Sequence, residues 1–142
     1  MGGRHQTDPE FNYLELSCEE KNSIIELLRK RLKRDPGIVL AYVHGGFVSN
    51  GPFRDLDIAL WIKEEGDAWC YTVDLSAQLE VEIGAPVDVQ VLNKAPLLFR
   101  YRVLTQGNLL LSRDDGFRAR IVDKITRQYL DLREANKLVA EG

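Results

Sequence analysis

The sequence has little cysteine, no long apolar run and no excess of positive charge. Its 142 residues include two cysteines, Cys18 and Cys70, which lack the spacing of a zinc site. No apolar run approaches the ~20 residues that a membrane-spanning helix needs, and no signal-peptide pattern is visible. The net charge of −3 argues against a protein that grips long nucleic acid. We therefore expect a cytoplasmic protein with reduced thiols.

Apolar periodicity divides the chain into alternating helices and strands. Ser17 and Glu20 form the capping-box pattern Ser-x-x-Glu, which predicts the start of the first helix. The further predictions are strands at 38–43, 55–62 and 86–92, helices at 67–83, 96–107 and 116–139, and an edge strand at 108–111. This alternation indicates an α/β (α+β) fold, with a mixed sheet of roughly three to five strands flanked by helices. Residues 1–12 are polar and aperiodic and are predicted to be a disordered tail or leader, with one domain over 13–142.

The segment VHGGFVSNGPFRDLDIALWI joins a glycine turn to a strand that carries two carboxylates. Gly45 and Gly46 form the turn, and Asp55 and Asp57 follow with one residue between them. Because side chains alternate along a strand, both acids share one face, with Cα atoms roughly 6.5–7 Å apart. In the next strand Asp88 stands opposite an apolar face of valines. We therefore expect all three acids on the same side of the sheet.

Three carboxylates from neighbouring strands predict a site for a divalent metal and a nucleotide. Mg²⁺ prefers oxygen ligands and completes its shell with water and phosphate, and two such ions can align a hydroxyl with a leaving pyrophosphate. The amides of Gly45 and Gly46 suit a phosphate at a helix start. Each feature also has a simpler interpretation, since paired glycines are usually a turn and a strand aspartate is often solvated. We do not expect an EF-hand loop, because Leu56 and Ile58 are strand formers and no glycine stands at the turn that such a loop requires.

The run GGFVSNGPFRDLDIAL resembles the signature of the DNA polymerase β-like nucleotidyltransferases, in which a Gly-Ser turn precedes an Asp-x-Asp strand and a third acid lies on a later strand. The chain is most similar to the minimal nucleotidyltransferase (MNT) branch of that family. The run PVDVQVLNKAPLLFRYRVLTQGNLLLSRD resembles the segment that follows in MNT antitoxins, the partners of HEPN toxins. The resemblance implies a palm-like sheet with helices on one side, Mg²⁺ as the cofactor with two ions, and ATP as the donor substrate.

The resemblance also assigns roles to residues. The predicted catalytic and metal-binding residues are Asp55, Asp57 and Asp88, with Asp88 placed to activate the acceptor hydroxyl. The predicted nucleotide-binding residues are Gly45, Gly46, Ser49 and Arg54. Gly46 stands where the family has the serine that touches phosphate, and Ser49 is the nearby hydroxyl that can take its place. The loop before Asp55 is also shorter than the commonest family spacing.

Four further basic residues each have two interpretations. His44 precedes the glycine turn and is either a phosphate contact or a partly exposed histidine at a strand end. Lys94 follows the third strand and is either a phosphate contact or a surface charge. Arg100 and Arg102 either contact a partner or cover a helix face with their stems.

Three functions stay open from the sequence. In the antitoxin branch the enzyme transfers AMP to a tyrosine of its HEPN partner and so silences an RNase. The resemblance thus implies a Mg²⁺-dependent transfer of AMP, or another NMP, from an NTP to a hydroxyl. The missing turn serine motivates an alternative, a weak or inactive antitoxin that neutralises its toxin by binding alone. The third is a regulatory domain that binds nucleotide without turnover. The expected partners are a nucleoside triphosphate and a HEPN-type toxin, and a homo-oligomer stays open.

Overall fold

The computed structural model describes residues 3–8, 11–48 and 52–141, and it describes side chains from Leu16 to Ala140 except in 49–51. Its strands are β1 (Gly3–Asp8), β2 (Phe11–Glu15), β3 (Ile38–His44), β4 (Leu56–Ile62), β5 (Val87–Val91) and β6 (Asn108–Ser112). Its α-helices are α1 (Cys18–Lys33), α2 (Ser76–Ile83), α3 (Leu97–Gln106) and α4 (Asp115–Glu141), and a π-helical turn at Cys70–Leu75 leads directly into α2. The predicted order of helices and strands from α1 onward is confirmed.

The main sheet has the strand order β5-β4-β3-β6. Strand β3 pairs antiparallel with β4 and with β6, whereas β4 and β5 are parallel. The parallel pair is possible because the π-helical turn and α2 carry the chain back across the sheet between these two strands. The predicted mixed sheet flanked by helices is confirmed.

One face of the sheet packs against α1, the π-helical turn and α2. Alternate residues of β4 point into this layer, as the period of two predicts. Leu28, Leu32 and Leu79 reach it from the helices and are fully buried. The buried strand residues of this layer include Leu56, Ile58, Leu60, Ile62, Val87 and Val89. The acids of β4 and β5 are therefore forced to the other face.

The second face is covered by α3 and α4, so the expectation of helices on one side of the sheet is wrong. Tyr42 and Ala59 lie on this face and pack with Val103 of α3 and with Ile121 and Ile125 of α4. The physical reason is that β3 is an apolar run without alternation, and such a strand must be covered on both faces. The helices that cover this face therefore lie on the same side of the sheet as the acids.

The boundaries of α1 are set by side chains that satisfy backbone groups. The predicted capping box is confirmed: the Ser17 hydroxyl accepts from the Glu20 amide, and the Glu20 carboxylate accepts from the Ser17 amide, both at 3.1 Å. Beyond the other end of α1, Arg113 donates to the carbonyl oxygens of Lys33, Asp35 and Ile38. This arginine connects the end of α1 to the start of β3.

Strands β1 and β2 pair with each other as a separate two-stranded antiparallel sheet. The sequence predicts a disordered tail at residues 1–12, and the paired strands at Gly3–Asp8 and Phe11–Glu15 differ from that prediction. Backbone groups can form a ladder without apolar alternation, which is why a search for periodicity passes over this segment. The division into a tail and one domain at residue 13 stays a prediction.

Two further predictions from composition concern the cysteines and membrane-spanning helices. Cys18 and Cys70 are free thiols on the surface, as expected in place of a disulfide. None of the helices that the structure describes combines the length and the apolar character that crossing a bilayer requires.

Candidate active site

The glycine turn lies directly against the first site carboxylate. Gly45 has a φ of +73°, a left-handed conformation that favours glycine. A Cβ built on it would lie 2.3 Å from Oδ2 of Asp57, so any side chain would collide with that carboxylate. The turn continues as a four-residue 3₁₀ turn, Gly45–Val48, where the sequence predicts the start of a helix. The turn therefore brings backbone, rather than the end of a long helix, to the acid.

Three polar residues form a row across neighbouring strands at one end of the main sheet. His44 of β3 pairs with Asp57 of β4, and Asp57 pairs with Asp88 of β5. Residues paired in register point to the same face, so these three side chains, called the acid row below, lie side by side. Asp55 precedes β4 and lies close enough for its charge to act on Asp57. The structure thus brings together the three acids that the sequence predicts.

The electrostatics of this site concentrate on Asp57. Burial, then the charges of Asp88 and Asp55, raise the pKa of Asp57 from 3.8 to about 6, and only partial relief comes from Arg54. A raised pKa in a cleft is typical of functional carboxylates, although ion networks can also produce it. The structure therefore holds negative charge at a position where a cation would stabilise it.

The other two acids, Asp55 and Asp88, each have a side-chain partner. Oδ1 of Asp55 lies 3.9 Å from Nε of Arg54, and both side chains are substantially exposed. Oδ2 of Asp88 accepts a 3.0 Å hydrogen bond from the side-chain amide of Gln90, which shares its strand face. An exposed ion pair of this kind contributes little to stability. Both acids can therefore turn to a ligand at small energetic cost.

The acids around Asp57 suit a divalent cation that takes further ligands from water and substrate. Within the part of the chain that the structure describes, no three His, Cys, Asp or Glu side chains are close enough to form a metal cage alone. The clustered charge on Asp57, with Asp55 and Asp88 around it, does fit an ion whose remaining ligands are water and phosphate oxygens, as Mg²⁺ prefers. The assignment of these three acids as metal ligands stays a prediction.

His44 ends β3 at the first position of the acid row and is partly exposed, as the strand-end interpretation expects. Its ring meets that of Phe99 edge to face, with centroids 5.4 Å apart. Its Nε2 is buried and finds no hydrogen-bond partner among the described residues. Burial lowers the pKa of His44, and the charge of Asp88 acts in the opposite direction. The lowered pKa favours a neutral ring, which would bring no positive charge to a phosphate.

Phe47 and Phe53, which stand on either side of residues 49–51 in the chain, pack against each other. Phe47 and Phe53 are buried and meet edge to face at 5.2 Å. The ammonium of Lys21 lies over both rings and donates to the carbonyl oxygen of Phe47 at 3.1 Å. A Cβ on Gly46 would lie 3.1 Å from Cβ of Phe53, so this packing leaves little room for the family's serine. Ser49 lies outside the described residues.

A cavity of about 390 Å³ lies beside the acid row, between the glycine turn and α3. We call it the α3 cavity, and its walls include His44, Gly45, Phe99, Arg102, Val103 and Gln106. From the sequence, Arg102 is either a partner contact or a helix cover, and neither Phe99 nor Gln106 has a predicted role. The spacing of these helix residues, three and four apart, places them on one face and was the available signal.

A larger cavity of about 630 Å³ lies at the opposite end of the sheet, near Trp61, Lys63 and Asn93. It touches none of the predicted site residues, so size alone does not identify the chemical site. Lys94 is also at that end, where it pairs with Glu65 at 3.1 Å. The surface-charge interpretation of Lys94 is therefore favoured, because β5 separates it from the acid row.

Comparison with known proteins supports the interpretation of this geometry. The family model described as "Polymerase beta, Nucleotidyltransferase" matches residues 23–116, which include the glycine turn, the acid row and α3. A search among curated proteins finds no match.

Solved structures with the same fold come from toxin–antitoxin complexes. The MntA-HepT toxin–antitoxin structure has 23% identity and a TM-score of 0.58, covering 88% of this chain and 97% of that one. The MNT antitoxin bound to a tri-AMPylated HEPN toxin of Shewanella oneidensis has 23% identity and a TM-score of 0.59, covering 87% and 94%. A toxin–antitoxin structure with AMP-PNP has 23% identity and a TM-score of 0.59, covering 85% and 95%. At these identities the likeness establishes the shared fold.

Proposed function

Since this chain belongs to the polymerase beta nucleotidyltransferase family, we propose that it transfers AMP, or another NMP, from an NTP to a hydroxyl in the cytoplasm. The proposed acceptor is a tyrosine of a HEPN-type toxin, which makes the protein an antitoxin. The observation that carries the proposal is that Asp57 lies beside Asp88 and against the Gly45 turn. The AMPylated toxin and the AMP-PNP complex among proteins of this fold support the choice of donor and acceptor.

The proposed reaction is a displacement at the α-phosphorus of the nucleotide. The acceptor oxygen forms a bond to that phosphorus, the bond to the bridging oxygen breaks, and pyrophosphate leaves with the electron pair. Asp88, the most exposed acid of the row, takes the proton of the acceptor hydroxyl. The amides of the Gly45–Gly46 turn bind phosphate oxygens, and the short turn holds them close to Asp57.

Asp55, Asp57 and Asp88 would hold Mg²⁺ together with the phosphates of the substrate. When bound, Mg²⁺ supplies positive charge that offsets the charge of the acids and of the triphosphate. The pKa of Asp57 is raised to about 6, so at neutral pH its carboxylate is ionised among like charges. A bound cation would offset this repulsion.

A second function, neutralisation of the toxin by binding alone, is favoured by one observation. The family's serine is absent at Gly46, and the 3.1 Å distance from a Cβ there to Cβ of Phe53 shows that the loop is packed around glycine. A turn that lacks this hydroxyl offers one phosphate donor fewer. The two functions can coexist, because an enzyme that modifies a protein must first dock on it.

The test is pyrophosphate release on mixing the protein with Mg²⁺, ATP and a HEPN-type toxin protein. We expect release that tracks AMP on the partner, seen as a mass increase of the toxin, and a loss of at least about 100-fold in the Asp55→Asn/Asp57→Asn double variant. Glu65→Gln at the opposite end of the sheet is the matched control and should retain activity.

A parallel RNase assay separates the two functions. If the double variant still modifies the toxin, the proposed chemistry is wrong. If it no longer modifies the toxin but neutralises its RNase activity as well as the wild type, binding alone is the function.

A further inference from the structure

We propose that the α3 cavity binds the nucleoside part of the donor nucleotide, that is, its base and ribose. This inference rests on the proposed function and adds to it the residues that would recognise the donor. The cavity volume of about 390 Å³ lies in the range of sites that enclose a small organic ligand.

The cavity lies at the end of the acid row where the donor nucleotide is proposed to bind. Gly45 belongs to both the proposed phosphate turn and the cavity wall, so a nucleotide whose phosphates lie on the turn has the cavity directly beside it. His44, at one end of the row, lines the cavity, whereas Asp88 is at the other end, two strands away. Two strand spacings are roughly 10 Å. The acceptor that Asp88 activates is therefore on the opposite side of Asp57.

The chemistry of the walls suits a flat, partly polar ligand. Phe99 and Val103 supply apolar surface for a ring or a sugar face, and the edge of His44 extends that surface. Arg102 and Gln106 stand on the same helix face at the rim and are exposed. Their side chains make no hydrogen bond or ion pair with any other described residue. They are therefore available to hydrogen-bond the base and ribose oxygens or nitrogens.

The experiment compares ATP with inorganic triphosphate, which carries the phosphates without a nucleoside. Binding to the full chain is measured calorimetrically in Mg²⁺, without any acceptor protein. We expect the wild type to bind ATP about tenfold more tightly than triphosphate. Gln106→Trp, which fills the cavity from an exposed helix position, should lose about that tenfold for ATP and stay within about twofold for triphosphate.

Two further variants make the result specific. Phe99→Ala removes the aromatic wall and should weaken ATP binding about three- to tenfold, again without an effect on triphosphate. Gln128→Trp, the same change at an exposed position of α4, should leave both affinities unchanged.

Three outcomes would overturn the inference: ATP binding in Gln106→Trp equal to that of the wild type, an equal loss for ATP and triphosphate, or no binding of ATP by the wild type. If Gln106→Trp changes only the KM for the acceptor, the cavity belongs to the acceptor and the inference is also wrong. Failure of AMP transfer, with the ATP preference and its loss in Gln106→Trp both observed, contradicts the proposed function and leaves this inference in place.

Discussion

The two ends of the main sheet treat their polar groups in opposite ways. At the acidic end, Asp57 is partly buried between Asp55 and Asp88, and the buried Nε2 of His44 has no partner among the described residues. At the opposite end, the Asn93 side chain donates to the carbonyl oxygen of Ile62 at 2.8 Å and accepts from its amide at 3.0 Å. The acidic end thus keeps like charges together around Asp57, whereas at the opposite end the amide of Asn93 is paired through both its oxygen and its nitrogen.

This difference indicates that the arrangement around Asp57 lowers the stability of the fold. A partly buried carboxylate next to two others is unfavourable unless a cation offsets their charge, whereas the paired amide of Asn93 stabilises the sheet. Active sites characteristically keep such unfavourable arrangements while the surrounding structure supplies the stability. The contrast therefore separates, within one sheet, residues whose replacement should affect function from residues whose replacement should affect folding.

The largest effect is expected from Gly45→Ala, which would break the acidic end. The new Cβ lies 2.3 Å from Oδ2 of Asp57 at a φ of +73°, so both the turn and the carboxylate must move. We expect a loss of transferase activity of more than about 100-fold and a fall in stability of at least about 2 kcal/mol. Nucleotide transfer and urea unfolding are the measurements.

Gly84→Ala is the matched control for that variant. Gly84 has a similar φ of +79°, but nothing lies within 4 Å of a Cβ there. It should cost about 1 kcal/mol and leave activity unchanged. Equal activity of the two variants would show that contact between the turn and Asp57 is unimportant.

At the opposite end of the sheet, a substitution should change stability and leave activity unchanged. Asn93→Ala removes both hydrogen bonds to Ile62, whose backbone is then left without partners beside a buried side chain. We expect a loss of about 1–3 kcal/mol in urea unfolding and normal activity of the folded fraction. Asn22→Ala on the exposed face of α1 should change neither quantity. A loss of activity beyond the unfolded fraction in Asn93→Ala would remove the distinction between the ends.

Asp57→Asn should make the protein more stable while abolishing activity, and the gain should depend on pH. Below about pH 4 the carboxyl is protonated in both the folded and the unfolded chain, so the substitution changes little. Above a pH of about 6, the raised pKa of Asp57, it is charged in both, and only the folded chain carries the penalty. We expect a gain that rises to about 1–2 kcal/mol above pH 7, with allowance for partial exposure.

Thermal unfolding at several pH values without Mg²⁺ measures this gain. Asp131→Asn, at an exposed position of α4, should give a flat difference across the same range. A gain for Asp57→Asn that is constant with pH would contradict the assigned cause, and a loss of stability above pH 7 would contradict the unfavourable charge itself.

The smallest effect is expected from Gly46→Ser, which introduces the family's serine. Phe53 must shift by a few tenths of an ångström, because its Cβ lies 3.1 Å from the new Cβ. We expect a cost of about 1 kcal/mol in urea unfolding. A larger cost would show that the loop is specific for glycine. An increase in affinity for inorganic triphosphate would show that the missing hydroxyl weakens the acidic end.

The elements that the sequence predicts well are those defined by short-range patterns. The capping box of Ser17 and Glu20 and the alternation around Asp57 both depend on residues within one turn or one strand step. The prediction that Asp88 joins the same face follows from the same alternation in β5. The structure confirms these positions, and the roles assigned to the acids stay predictions.

The errors have a common physical origin. The cover of the second face by α3 and α4 depends on which elements pack together. A local pattern shows that β3 needs cover on both faces but not which helices provide it. The α3 cavity was missed for the same reason, since its walls come from α3 and from the glycine turn.

For this protein, the sequence by itself determined the order of the strands and helices from α1 onward, the glycine turn and the shared face of its acids, because those properties depend on neighbouring residues along the chain. Only the tertiary structure decided that Gly45 lies against Asp57, that Asp57 lies beside Asp88, and that the ring of Phe99 contacts the ring of His44 edge to face. Those contacts join distant parts of the chain. They arise because the packing of both sheet faces selects one strand order among the many that the local patterns allow.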